Sequence, residues 1–347
     1  MKFIIPQSYI DEDRVACKKH PKYDLWIYTY TRNTMENNLW DDITLACRGL
    51  VLDKDQNIIA RSMPKFFNQH EIKEELPNEP YGVFEKMDGS LILAFKYKGD
   101  VITCTKRSFE SDQAIVAYDI IKTNNYDICI KDENKTYLFE LIHPDNRIVV
   151  DYEGIKDLYY ITTVDNNTGL DSMQDDMYTP YVKEYDKTLE EIMAEDRPNA
   201  EGYVVKFAGG YRLKVKHPTY LKLHRIMSML TTEDVWEDAL NVNFDLLTIL
   251  SKDNEDLFNE VSLITNDLVR QYNAIKSRAV AISIYIDTRF ETKKDKVLYV
   301  QKFFPDIQHV VYSILNGYDD DDTRKVIYKL IKPKKIGISK IYDGVML

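Results

Sequence analysis

The chain has 347 residues, 44% of them apolar and 30% charged, and carries a net charge of −11. That length corresponds to about two domains and is ample for a core, while no apolar run approaches the ~18 residues that cross a bilayer. The acidic balance excludes indiscriminate binding of nucleic acid over the whole surface, so any polyanion site must be local.

In chain order, the opening Met1-Lys2-Phe3-Ile4-Ile5-Pro6 is too short for a signal peptide, and the cytoplasm is the expected compartment. Residues 1–60 read as short strands, with Leu25-Trp26-Ile27-Tyr28-Thr29-Tyr30 and Gly49-Leu50-Val51-Leu52-Asp53 as alternating runs. Arg48 opens the second run; an arginine at such an edge can reach phosphate oxygens, and it can equally be a plain surface residue. In Pro64-Lys65-Phe66-Phe67-Asn68 a lysine stands beside two aromatics, which suits a site that receives phosphate and base together but also suits a core.

The most informative stretch is Glu85-Lys86-Met87-Asp88-Gly89-Ser90-Leu91. A lysine two residues ahead of Asp-Gly-Ser is how covalent nucleotidyltransferases present their nucleophile, although the same residues could form an ordinary strand-ending turn. An amine attacks phosphorus only when neutral, and at a free pKa of ~10.4 roughly one lysine in a thousand is neutral at pH 7. Cationic neighbours or a metal must therefore lower its pKa, and a glycine beside it lets backbone approach the phosphate.

Strands over 91–97 and 101–105 follow, joined by a Lys98-Gly99-Asp100 hairpin turn. The second ends in Thr105-Lys106-Arg107-Ser108, ahead of a helix predicted over 111–122; two cations at that point suit either an anionic ligand or a solvated turn. Tyr137-Leu138-Phe139-Glu140-Leu141-Ile142 is an apolar strand with one carboxylate, which is expensive to bury unless it binds a cation or a ligand. Residues 143–150 are expected to turn into another strand. Glu201-Gly202-Tyr203-Val204-Val205-Lys206-Phe207 repeats the pattern of carboxylate, glycine and strand, and Tyr211-Arg212-Leu213-Lys214-Val215-Lys216 returns after a Gly209-Gly210 turn. Lys214 and Lys216 share a strand face, and two like charges there need a shared anion, as a triphosphate would be.

Beyond residue 221 the period changes. Leu257, Val261, Ile264, Leu268 and Tyr272 recur at helical spacing, and similar patterns cover 234–250, 296–315 and 323–331. Asp319, Asp320, Asp321 and Asp322 read as the N-terminal cap of the last helix. Basic residues gather late, at Arg324, Lys325, Lys329, Lys332, Lys334, Lys335 and Lys340, where a solvated helix face with a tail would look the same. Cys17, Cys47, Cys104 and Cys129 form no CxxC pair, so neither zinc nor a disulfide framework is expected, and the six histidines read as structural or surface residues.

In order along the chain, Lys86-x-Asp-Gly-Ser, Phe139-Glu140-Leu141, Glu201-Gly202-Tyr203-Val204-Val205-Lys206 and Lys214-Val215-Lys216 resemble motifs I, III, IV and V of the covalent nucleotidyltransferases. The flanking segments Cys47-Arg48-Gly49, Pro64 to Asn68, Asn146-Arg147-Ile148-Val149 and Tyr220-Leu221-Lys222-Leu223-His224 are similar to those of the RNA ligase 1 family of T-even-type bacteriophages. The resemblance covers roughly residues 40 to 224. It implies an α+β fold: a nucleotidyltransferase domain of antiparallel sheets with flanking helices over 1–228, then an all-α domain over 229–347 that serves RNA specificity. It implies an ATP-dependent RNA ligase that joins 5′-phosphate and 3′-hydroxyl RNA ends through lysyl-AMP and RNA-adenylate, in tRNA repair, with magnesium or manganese as the metal. Nicked tRNA is the implied RNA, and an end-healing kinase/phosphatase the implied functional partner, in a host cytoplasm if the source is viral.

By position, Lys86 would be the adenylylated lysine, Glu140 and Glu201 the carboxylates that serve the metal or the ribose, and Asp88 a further carboxylate that helps to hold the hydrated metal. Lys214 and Lys216 would bind phosphate and lower the pKa of Lys86. Arg48, Lys65 and Lys106 would be further nucleotide contacts, and Phe67 and Phe139 would pack near the nucleotide. Arg107 stands where a glycine would be expected. Two other readings stay open: an RNA-binding protein without catalysis on the same scaffold, and a DNA-nick ligase. The helical period beyond 221 argues against the strand-rich OB-fold that follows this domain in DNA ligases and capping enzymes.

Overall fold

Alternating apolar residues build three sheets from the strands β1 (Val15–Lys19), β2 (Leu25–Tyr30), β3 (Arg48–Asp53), β4 (Ile58–Ala60), β5 (Phe67–Asn68), β6 (Tyr81–Glu85), β7 (Ser90–Tyr97), β8 (Asp100–Thr105), β9 (Lys135–Ile142), β10 (Asp157–Asp165), β11 (Asp171–Ser172), β12 (Glu184–Tyr185), β13 (Gly202–Phe207) and β14 (Arg212–Lys216). The computed structural model describes residues 1–242, 244, 246, 247 and 255–338, and of these the side chains of 225–229, 255–257 and 260 stay outside the description. The first sheet runs β1-β2-β3-β4, the second β11-β10-β9-β7-β8 and the third β12-β6-β13-β14-β5. Neighbours are antiparallel except for the parallel pair β14 and β5. The α+β class expected from the sequence is the class observed.

The second sheet is buried on both faces, and the period of two decides which residue goes where. Ile92, Phe139, Leu141 and Tyr160 pack with Ala117 and Ile121 of the helix Asp112–Thr123. Leu93, Phe95 and Leu138 point the other way, onto Leu25, Ile27 and Val51 of the first sheet. The Asp112–Thr123 helix starts where Ser111 accepts a hydrogen bond from the Ala114 amide, and it buries Ala114, Ala117 and Ile121 at spacings of three and four. Cys47, Cys104 and Cys129 are buried, Cys17 is exposed, and all four are free thiols.

The chain divides into two compact units, Met1–Lys222 and Leu223–Leu347. The second unit is helical among its described residues. Its longest helix, Glu255–Arg289, extends well past the 257–272 pattern that announced it. One core joins Val235, Trp236, Val261, Leu268 and Tyr328; another joins Ala279, Ile286, Val300, Val311 and Ile327.

Three expectations are corrected. Residues 149 and 150 form no strand, because their amides are taken by a carboxylate described below. The single helix expected over 296–315 is two, Lys293–Phe303 and Gln308–Leu315, since Pro305 cannot continue the hydrogen-bond ladder. The run over 234–250 yields the helix Thr232–Asn241, which stops where Val242 turns to φ +58°; part of the remainder, and Lys340 of the late basic group, lie outside the described residues. Asp319 caps the helix Asp320–Leu330 by accepting from the Asp322 amide at 2.8 Å.

Candidate active site

Lys86 directly follows β6, and its amide donates to the Gly202 carbonyl at 2.9 Å, so the nucleophile candidate is fixed against the start of β13. Gly202 has φ +140°, and a Cβ there would lie 2.1 Å from the Val215 carbonyl oxygen. Only glycine allows β13 and β14 to close at this point. The closure sets Glu201 between two lysines: Oε2 lies 2.8 Å from Lys86 Nζ and Oε1 2.8 Å from Lys216 Nζ. The Glu201 side chain is 4% exposed, and those of Lys86 and Lys216 are 19% and 18% exposed.

Burial pulls the Lys86 amine down, but Glu201, Glu140 and Asp88 outweigh it and hold the amine above its ordinary value. Against the upward pull of burial, Lys86 and Lys216 keep the Glu201 carboxyl below its ordinary value. The lowered Lys86 pKa expected from Lys214 and Lys216 is therefore corrected in its net direction, because the carboxylates prevail. Nor does Lys216 wait for a shared anion, because Glu201 already neutralises it.

Asp88 holds backbone. It is 3% exposed, and its Oδ2 accepts from the Val149 and Val150 amides at 2.8 and 2.9 Å. Its Oδ1 accepts from the Tyr220 hydroxyl at 2.7 Å, and its own amide donates to the Tyr152 hydroxyl at 2.7 Å. With both oxygens engaged, Asp88 is not placed as a metal ligand, which corrects that assignment; its part is to position the turn that carries Lys86. Gly89 continues the turn, with its amide donating to Glu140 Oε1 at 3.2 Å, and a Cβ there would lie 2.2 Å from the Leu141 carbonyl oxygen.

Between the second and third sheets lies a cavity of about 450 Å³, within the size range of small-molecule sites. Seven cationic side chains line it: Arg48, Lys86, Lys106, Arg107, Lys206, Arg212 and Lys214. Three carboxylates, Glu85, Glu140 and Asp171, share the wall. The local balance is thus opposite to that of the whole chain. Burial, reinforced by Lys65, Lys86, Arg48 and Lys216, lowers the Lys214 amine to about 6. Burial with Arg48 and Arg107 lowers Lys106 to about 8. Burial also raises the Glu140 carboxyl to about 7, with Glu201 adding to it and Lys86 opposing.

Of the residues singled out from the sequence, Arg48, Lys86, Lys106, Glu140 and Lys214 reach the cavity, whereas Lys65, Phe67, Asp88, Phe139, Glu201 and Lys216 do not line it. Phe139 belongs to the buried cluster behind the second sheet, on the face opposite Glu140. Phe66 takes the wall position, with the Lys214 Nζ 4.7 Å from its ring centroid, while Phe67 turns to Trp40 and Lys65. Lys65 donates to the Phe66 carbonyl at 3.0 Å and is lowered by burial.

The far end of the cavity went unread. There Asp171 of β11 ties the second sheet to the third, pairing with Lys206 at 2.8 Å and with Arg212, and accepting from Thr162 Oγ1 at 2.9 Å. Arg212 stands two residues before Lys214 on β14, so strand alternation alone could have placed it on the same face. Asp171 offers no local signal. Tyr220, quoted only as part of a flanking segment, is likewise an unforeseen support through Asp88.

A divalent cation implied by the family can be tested against these donors. Among the described residues no three Asp, Glu, His or Cys side chains group to hold an ion. The oxygens of Asp88 and Glu201 are engaged, which leaves Glu140 as the carboxylate that faces the cavity with capacity to spare. One carboxylate beside a phosphate site fits a magnesium-like ion that completes its shell with substrate oxygens and water.

A cleft between antiparallel sheets, cation-lined and with the lysine of a Lys-x-Asp-Gly-Ser turn on its wall, defines a nucleotidyltransferase of the ligase class. The sequence matches the family model for RNA ligase over residues 46–220, half of the chain, and the chain belongs to the T4-type RNA ligase 1 family. A protein of Autographa californica nuclear polyhedrosis virus described as a bifunctional polynucleotide kinase/RNA ligase is 26% identical over 64% of this chain and 36% of its own length. An RNA ligase of Rhodothermus phage RM378 is 23% identical over 75% of this chain and 77% of its own. The chain thus spans about a third of the first relative's length and three-quarters of the second's. A solved Naegleria gruberi RNA ligase with pyrophosphate is 16% identical over 42% of this chain and 52% of its own, at a TM-score of 0.36, a likeness too slight to build on. No helix among the described residues is long and apolar enough to cross a membrane.

Proposed function

We propose that this protein is an ATP-dependent RNA ligase that seals 5′-phosphate to 3′-hydroxyl ends by three in-line phosphoryl transfers, each governed by positioning and charge neutralisation. Lys86 loses its proton and its Nζ bonds to the α-phosphorus of ATP as the bond to pyrophosphate breaks. The 5′-phosphate of an RNA then attacks that phosphorus and frees Lys86. A 3′-hydroxyl finally attacks the activated 5′-phosphate and expels AMP. The observation that carries this reading is the Lys86 amine on the wall of a cavity lined by six further cations.

The chain's own residues divide the work. Glu201 holds Lys86 and Lys216 in register, while Arg48, Lys106 and Lys214 receive phosphate. Asp88, Tyr152 and Tyr220 keep the nucleophile turn in place. Apolar Ile161 and Val204, on opposite sheets of the cleft, form a slot for the base. Glu140 would hold magnesium, which when bound offsets phosphate charge. Repair of nicked tRNA is the role proposed, alongside an end-healing kinase/phosphatase; the baculovirus relative, described as kinase and ligase in one chain, supports the pairing.

The test is the mass of the intact protein after exposure to ATP and magnesium, followed by incubation with matched RNA and DNA nicks. A mass increase of one AMP, and sealing of RNA in preference to DNA, is expected. No adduct and no joined product would overturn the proposal, and preferential sealing of DNA would turn it into a DNA ligase.

A further inference from the structure

Of the basic residues that gather late in the chain, Arg324, Lys325, Lys332 and Lys335 are compensated by acids. Lys332 and Lys335 both pair with Glu233, and Arg324 and Lys325 both pair with Asp321. A different part of the helical unit combines free cations with exposed rings. Tyr285, near the end of the Glu255–Arg289 helix, is 46% exposed, and Phe303, at the end of the Lys293–Phe303 helix, is 52% exposed. Tyr299 stands between them, with ring centroids 6.2 Å from Tyr285 and 4.6 Å from Phe303, so the three form a short ladder.

Each end of the ladder carries a cation. The Arg289 guanidinium is 5.8 Å from the Tyr285 centroid and Lys302 Nζ is 5.3 Å from the Phe303 centroid. Both are exposed, and neither has an ion-pair partner among the described residues. Residues 285–303 hold five cations against three carboxylates, in a chain whose net charge is −11. Tyr285 and Phe303 are exposed while Tyr299 between them is half-buried against the core of the unit; rings that offer a π face, flanked by cations, are the two elements by which proteins take up unpaired nucleotides. A duplex, with its bases stacked inside, has no use for the rings.

We propose that Tyr285, Tyr299 and Phe303, flanked by Arg289 and Lys302, form a stacking platform for unpaired nucleotides of the RNA substrate. The inference rests on the ligase reading for its ligand. It places single-strand recognition on the helical unit and assigns it to rings, with the cations holding phosphate.

The test measures binding of a fluorescent single-stranded oligoribonucleotide and of a blunt RNA duplex to the full chain, at two salt concentrations. Tyr285→Ala and Phe303→Ala are each expected to weaken single-strand binding about tenfold, and Phe303→Trp to preserve it. Arg289→Gln with Lys302→Gln should lower the salt dependence of single-strand binding by about 1.4 in log–log slope. Duplex binding should not respond to loss of the rings. AMP transfer to Lys86 serves as the separate readout of the ligase reading: if it is absent in the wild type that reading fails, while the binding arm still judges the platform. Single-strand affinity unchanged in both alanine variants, with melting curves that show them folded, would overturn the inference. Loss of self-association with RNA affinity intact would also overturn it and make the ladder a protein interface.

Discussion

Two groups of lysines in the first unit meet opposite conditions. Lys86 and Lys216 share one buried carboxylate, each ammonium 2.8 Å from an oxygen of Glu201. Lys214 and Lys106 stand among Arg48, Lys65 and Arg107, and their amines are driven down to about 6 and about 8. The first group is balanced by the protein itself, whereas the second is left for an anion to balance. On the proposed ligase reading, the protein keeps Lys86 paired and its phosphate-binding cations uncompensated, and a triphosphate would supply the missing negative charge while it engages Lys86.

The strongest test of this contrast is Lys86→Ala, which should cut AMP incorporation by about a thousandfold or more, as expected for loss of a covalent nucleophile. Residual labelling of similar size would mean that another amine carries the chemistry. Next in size, Glu201→Gln strands two charges where a carboxylate had neutralised them. Stability should fall by about 3 kcal/mol in urea unfolding, since removal of one partner of a buried pair leaves the other uncompensated. An unchanged midpoint would break the comparison on its balanced side.

Lys214→Met should act with the opposite sign. A folded-state pKa held far below the unfolded one means that the unfolded chain binds more protons between about pH 6 and pH 10, so the charge costs most at and below pH 6 and the cost fades as pH rises. Its removal should stabilise the empty protein by about 1 kcal/mol near neutral pH, with the gain vanishing by about pH 10, and weaken triphosphate binding at least tenfold. Loss of stability in this variant would break the other side. The smallest effect is in protons. At pH 7 triphosphate binding should take up part of a proton at Lys214, and magnesium binding should release part of one from Glu140, whose carboxyl sits at about 7. Titration calorimetry in buffers of differing ionisation heat reads both, and uptake in the two cases would contradict the assignment.

Much of this was legible beforehand because it is local. Motif order placed Lys86, Glu140, Glu201 and Lys214, and alternation set the strand pairs that carry them. The errors come from what a motif does not display. Asp88 reads as a spare carboxylate until Val149, Val150 and Tyr220, sixty to over a hundred residues away, are seen to occupy it. Phe139 and Glu140 are neighbours in sequence and on opposite faces in space, and Phe66 rather than Phe67 meets the cleft for the same reason. Pro305, by contrast, stood in plain view within a run read as one helix. The Asp171 bridge to Lys206 and Arg212 depends on two sheets meeting and has no signature along the chain.

The bridge of Glu201 between Lys86 and Lys216 also bears on life between turnovers. An ammonium group has no lone pair to offer to aldehydes, dissolved carbon dioxide or other stray electrophiles of a cell. On the proposed reading, Lys86 is thereby protected from modification for as long as its proton is retained, and it gives up that protection only in the company of the nucleotide it is proposed to attack.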